Sequence, residues 1–142
     1  FTIMLVSAAT SKLKYVLLGG LVIWQIISVI SIYPSFLAYF NELAGGPDNG
    51  RKYVVDSNLD WGQDLKRLAK WTEENNIDKI YVDYFGGASP EYYLKEKFTP
   101  WQGHGYLAVS TSFLQGNQSY NWLKDYQPIT MIGHSIFVYR ID

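Results

Sequence analysis

No charged residue interrupts the stretch from Tyr15 to Tyr33, YVLLGGLVIWQIISVISIY. About twenty helical residues at 1.5 Å rise each cross the roughly 30 Å hydrocarbon core of a bilayer, and this run has that length. A buried helix of a soluble protein rarely stays apolar on every face, so the run predicts a membrane-spanning helix over about 15–33. Gln25, Ser28 and Ser31 recur at near-helical spacing and suit one side packed on other membrane helices. A cleaved signal peptide is the competing reading, because Lys12 and Lys14 precede the run, but such segments end in a small-residue cleavage site. Here the run ends in IYPSFLAYF instead. Tyr33, Phe36, Tyr39 and Phe40 read as an interfacial aromatic belt, with Pro34 ending or kinking the helix.

The first nine residues, FTIMLVSAA, look like the tail of an earlier apolar segment joined by a polar turn at 10–14. The chain therefore reads as the C-terminal piece of a larger multi-span protein. Lysines in a short turn favour the cytoplasmic side, which places everything after Tyr33 across the membrane. The sequence contains no cysteine, which removes disulfides and zinc–thiolate sites. A formal net charge of -1, with the charges dispersed, argues against a nucleic-acid partner.

Beyond residues 1–40, a turn-rich linker (41–51) leads to a second region, 52–142, expected to be a soluble extracytoplasmic α/β domain. Lys52–Asp56 (KYVVD) and Lys79–Gly86 (KIYVDYFG) are short β-prone runs. Between them Trp61, Leu65, Leu68, Ala69 and Thr72 recur at helical spacing, giving a β-α-β unit. SPEYYLKEKF from Ser89 can open a helix with Pro90 in its first turn, GYLAVSTS reads as a strand and SYNWLKDY as a short helix. ITMIGHSIFVYRI reads as two strands around Gly133-His134-Ser135, a hairpin or a bulged edge. The fold class expected is α/β: a transmembrane helix followed by a small sandwich with a mainly parallel sheet and a C-terminal hairpin.

The densest polar cluster is VVDSNLDWGQDL, Val54–Leu65. Asp56, Asn58 and Asp60 match the first, third and fifth positions of a calcium loop, but the sixth and twelfth positions hold Trp61 and Arg67 in place of glycine and glutamate. A catalytic carboxylate pair is a second reading, since Asp56 would close a strand where open α/β sheets form crevices; no second, opposed acid is evident. A third reading is structural: Asp60 caps the following helix, Gln63 reaches back in a capping box, and Asp64 suits the positive end of the helix dipole. Capping leaves Asp56, Asn58 and Trp61 over. An aromatic ring beside planar polar groups is the mixture that sugar rings favour, although a tryptophan there equally serves a core.

Other motifs carry less. His104 and His134 sit in turn-like segments outside any triad pattern. GGPDNG lacks the lysine–serine/threonine ending of a phosphate loop, and Asn117-Gln118-Ser119 fits a glycosylation acceptor that matters only in a eukaryotic secretory setting.

The run YPSFLAYFNELAGGPDNGRKYVVDSNLDWGQDLKRLAKW, with IYVDYFGGASPEYY and the ending IGHSIFVYRI, resembles the C-terminal portion of bacterial multi-span glycosyltransferases of the family 39 kind. These are dolichyl-phosphate-mannose/protein mannosyltransferase-like members of the GT-C superfamily, which use a lipid-phosphate sugar donor. The resemblance covers nearly all of the chain from Tyr33 onward. It implies a last membrane helix and an extracytoplasmic C-terminal domain at the bacterial plasma membrane, serving a lipid-phosphate donor and a glycan or lipid acceptor. The catalytic carboxylate of such enzymes lies in a loop near the N-terminus of the full protein, so no catalytic residue, metal or cofactor is assigned within these residues. The substrate-binding candidates are Asp56, Asn58, Asp60, Trp61 and Gln63, with the domain accessory to transfer. A non-catalytic docking module is the alternative, supported by twelve tyrosines and five tryptophans, residues favoured at interfaces.

Overall fold

The structure, a computed structural model, describes residues 11–54, 59–116 and 118–142. The chain divides after Phe36 into two compact units. Residues 1–10, with the expected earlier apolar segment, lie outside the described residues, as do Val55–Asn58 and Asn117.

The first unit is built on helix α1, Ser11–Ile32. Expected to begin near Tyr15, it starts earlier: Ser11–Lys14, read as part of a polar turn, form its first turn. It stops ahead of Pro34, which has no N–H to continue the ladder. Lys12–Ile32 has a mean hydropathy of 2.1, so this helix is long and apolar enough to cross a membrane. Its apolar side chains, among them Ile23, Trp24, Ile27 and Ile30, are exposed around the helix, unlike those of a soluble core helix.

The second unit contains a four-stranded mixed sheet: β1 (Ile80–Asp83), β2 (Gly105–Ser110), β3 (Thr130–Ile132) and β4 (Ile136–Ile141), in the order β1-β2-β4-β3. Only β1 and β2 run parallel. β4 lies antiparallel to both β2 and β3. The expectation of a mainly parallel sheet is therefore corrected. The C-terminal hairpin delivers β4 beside β2, which removes the place that a parallel strand would fill. The expected strand at Lys52–Asp56 is also not seen over its described part. Arg51–Tyr53 are turns, because the Tyr53 ring stacks on Phe40 at 6.4 Å and Arg51 lies over the Phe137 ring at 5.0 Å. Phe40, expected in an interfacial belt, also covers Gly50, where a Cβ would come within 2.1 Å of its ring. The expected linker holds ordered structure: Asn41 Oδ1 accepts from Ala44 N–H at 3.0 Å, and Pro47–Gly50 form the short helix α2.

Alternation along the strands builds two cores. Ile80, Val82, Ala108, Ile136 and Val138 point to one face, where helix α3 (Leu65–Glu74) packs Leu65 and Leu68 and helix α4 (Pro90–Leu94) packs Leu94. Leu107, Val109, Phe137, Tyr139 and Ile141 point to the other, covered by helix α5 (Thr111–Gly116) and the 3₁₀ turn Gln118–Asp125 through Phe113, Leu114, Tyr120 and Leu123. Each fully buried leucine or isoleucine contributes about 1.5–3 kcal/mol. The hairpin turn is closed by Ser135 N–H on Ile132 O at 3.2 Å, with φ of +59° at Gly133 and +71° at His134. Positive φ at both central residues matches the right-handed twist of the flanking strands.

Candidate functional site

The segment 59–64 lies at the carboxyl ends of the parallel pair β1 and β2, where open sheets form their crevices. Its acids face inward. Asp60 and Asp64 are both 0% exposed, and Leu59 at the start of the segment is equally enclosed.

Asp60 does not cap α3. Its Oδ1 accepts from Gly62 N–H at 2.9 Å, and the Gln63 side chain returns to the loop backbone, accepting from Trp61 N–H at 2.7 Å and donating to Leu59 O at 3.1 Å. The expected capping box is thus replaced by an Asx-type turn one step upstream. Helix α3 begins at Leu65, with Asp64 in the N-cap position. Asp64 makes no side-chain cap bond. Its Oδ2 accepts from the Ser135 hydroxyl at 2.7 Å and its Oδ1 pairs with Arg67 at 2.7 Å. Asp64 therefore ties α3 to the hairpin across the α3 face of the sheet.

Glycines make this closeness sterically attainable. A Cβ on Gly133 would stand 2.0 Å from Asp64 Oδ1. A Cβ on Gly62, φ +75°, would stand 2.4 Å from the Tyr84 ring, and one on Gly86 would stand 2.8 Å from Gly62 Cα. The loop backbone thus rests directly on the segment following β1. Tyr84 is held by its hydroxyl donating to Ala88 O, and Phe85 N–H donates to Ser110 Oγ at 3.1 Å.

Burial is the main cause that pushes the Asp60 carboxyl up to about 6. The Gly62 N–H opposes the shift, the neighbouring Asp64 charge adds to it, and the Ser110 hydroxyl opposes it weakly. Among the described residues Asp60 Oδ2 has no hydrogen-bond partner. Burial raises Asp64 as well, against the pull of Ser135, Arg67 and His134. His134 itself meets Asp48 at 2.6 Å, fastening α2 to the hairpin turn.

A pair of acids working on a substrate must face a common opening. Asp60 and Asp64 face protein, so the arrangement braces a loop, and the catalytic-pair reading has no support from these two. Of the five candidates, Asp56 and Asn58 lie outside the described residues. Asp60 is enclosed, and Gln63 is exposed with its amide engaged by the loop. Trp61 is 60% exposed, so it is not a core residue. The structure adds Asp64, which the sequence offered only as a helix-dipole acid, Gly133 and Ser135, which it offered only as a turn, and Tyr84 and Ser110, which it did not single out. The only signal for them was the Gly-His-Ser hairpin turn, a tight geometry that admits a close neighbour. Among the described residues no three His, Asp or Glu side chains gather in a way that could hold a metal ion.

No family model, no curated protein and no solved structure matches the chain.

Proposed function

We propose that this chain is the C-terminal segment of an integral-membrane glycosyltransferase that moves a sugar from a lipid-phosphate carrier to an extracytoplasmic acceptor. In this reading α1 spans the membrane and the globular unit is accessory, holding the acceptor or closing over the active site. The observation that carries it is Trp61. An indole 60% exposed, on a loop braced by the Asp60–Gly62 turn and the Gln63 amide, is presented to a partner at low entropic cost. Such a ring supplies the apolar face on which a sugar stacks. The resemblance of DSNLDWGQDL and its surroundings to family 39 enzymes adds the chemistry, and Lys12 and Lys14 add the side of the membrane.

The test is transfer by the full-length parent enzyme carrying Trp61→Ala. The expected result is a loss of roughly tenfold in kcat/KM with unchanged folding, partly restored by Trp61→Phe. Unaltered transfer in a folded Trp61→Ala enzyme removes the loop from the mechanism. The second reading, a non-catalytic docking module, draws on the exposed rings of Tyr53 and Tyr92. It is favoured if Trp61→Ala abolishes capture of a membrane partner while transfer persists.

A further inference from the structure

On the face of the sheet away from α3, four rings stand in a row. Tyr81 meets Trp101 at 5.8 Å between centroids, Trp101 stacks on Trp122 at 6.3 Å and 28°, and Trp122 meets Tyr126 edge-on at 5.6 Å. Trp122 is 38% and Tyr126 41% exposed, so the row is not absorbed into the core beneath it. Two open recesses of about 220 Å³ each flank it, and both are lined by Tyr81 and Trp101, so the ring row and its two recesses form a trough of adjacent subsites. Exposed Gln102 and His104 border one recess and Ser119 borders the other.

We infer that this trough is a binding site for uncharged pyranose rings of a glycan, separate from the Trp61 loop. Three features fix the chemistry. The negative faces of the indole and phenol rings attract the weakly positive C–H faces of a sugar. Gln102, His104 and Ser119 sit at the rims, where ring hydroxyls would project. The ionisable groups beside the row come in opposite signs, Lys79 with Asp83 and Lys124 with Asp125. Lys79 Nζ donates to Glu96 O at 2.5 Å, and the Asp83 carboxylate accepts from the Tyr120 hydroxyl. The trough therefore offers no net field to select a phosphate or an acidic peptide. Each recess is below the roughly 300 Å³ at which pockets for drug-sized ligands begin, so it suits one ring at a time along a chain. The inference goes beyond the transferase reading, because it requires binding alone.

The test uses the full chain in detergent micelles, titrated with mannotetraose, maltotetraose and chitotetraose while tryptophan emission and saturation-transfer NMR are followed. One of the three is expected to bind saturably. Its affinity should fall several-fold, up to about tenfold, in Trp122→Ala, recover partly in Trp122→Phe and remain unchanged in Leu43→Ala, an exposed side chain that lines neither recess. No binding by any of them to a folded chain overturns the site, as does binding that Trp122→Ala leaves intact. In nanodiscs containing brominated lipid, quenching that Trp122→Phe removes would assign the row to the bilayer interface and also overturn it. If a tetrasaccharide binds while the parent enzyme transfers no sugar, the trough stands and the transferase reading falls.

Discussion

On the α3 face of the sheet, the carboxylates of Asp60 and Asp64 are fully enclosed and their partners are a backbone N–H, a serine and an arginine of the same unit. On the opposite face, Trp101 stacks on Trp122, which meets Tyr126 edge-on, and Trp122 and Tyr126 leave ring surface open to solvent. Buried polar groups cost stability unless satisfied, so the first arrangement depends on fixed partners, and the unpartnered Asp60 Oδ2 is where burial favours the protonated carboxyl. Exposed rings tolerate loose neighbours and retain free area for a ligand. The comparison separates a region that holds the fold from one that is available for binding, and substitutions on the two faces should therefore differ in kind.

The largest effect is expected from Gly133→Ala. Its Cβ would stand 2.0 Å from Asp64 Oδ1, and that carboxylate cannot swing aside because Ser135 and Arg67 each hold it at 2.7 Å. Together with the left-handed φ of +59°, the loss should be on the order of 3 kcal/mol. Gly87→Ala, with nothing within 4 Å of its Cβ, should stay within about 0.5 kcal/mol of the parent chain. Chemical denaturation followed by circular dichroism compares them. Equal stabilities would mean that the Asp64 bridge is not a fixed element.

Next in size is the effect of pH on the same face. The Asp60 carboxyl titrates at about 6 in the folded chain and near 3.8 when unfolded. Its folded state binds the proton more tightly, so this contribution is fully present below about pH 4 and is lost as pH rises through 6. The slope integrates to about 2–3 kcal/mol, and Asp64, raised in the same direction, adds to it. Asp60→Asn keeps an oxygen for the Gly62 N–H and cannot ionise. It should flatten the dependence and be more stable than the parent at pH 7.5. A parent chain whose denaturation midpoint is the same at pH 4.5 and 7.5 would refute the assignment. Ser135→Ala should cost about 1.5 kcal/mol at pH 7.5, since it strips a donor from a buried acceptor.

Much of this architecture could be read from the sequence, and what escaped has physical causes. The uncharged run gave α1, β-prone composition gave the strands at Ile80–Asp83 and Ile136–Ile141, and turn residues gave the hairpin at Gly133-His134. Periodicity specifies which face a side chain takes, but not which strand becomes its neighbour, so the antiparallel insertion of β4 between β2 and β3 stayed hidden. Lys52–Val54 looks β-prone, yet Tyr53 is claimed by Phe40 and Arg51 by Phe137, long-range contacts that override local propensity. Asp64 at the first turn of a helix reads as a solvated acid. Its burial depends on Gly133, Ser135 and Arg67, two of them far along the chain, and no local pattern announces that.

Among the substitutions that remove a contact, the smallest expected effect on stability belongs to Trp122→Ala on the ring face. Truncating an indole in a closed core costs about 3–5 kcal/mol, because a cavity remains and its lining loses contacts. Trp122 borders an open recess and is 38% exposed, so water can fill the space that its ring vacates. The loss should be about 1 kcal/mol, the worth of its contacts with Trp101 and Tyr126. Denaturation at neutral pH measures it against Gly133→Ala, and a loss matching the core value would place Trp122 with the structural residues. A small loss, joined to the fall in glycan affinity, would give the two faces different physical roles: ring area kept open for a ligand on one side, and enclosed carboxylates that fix the loop and hairpin on the other.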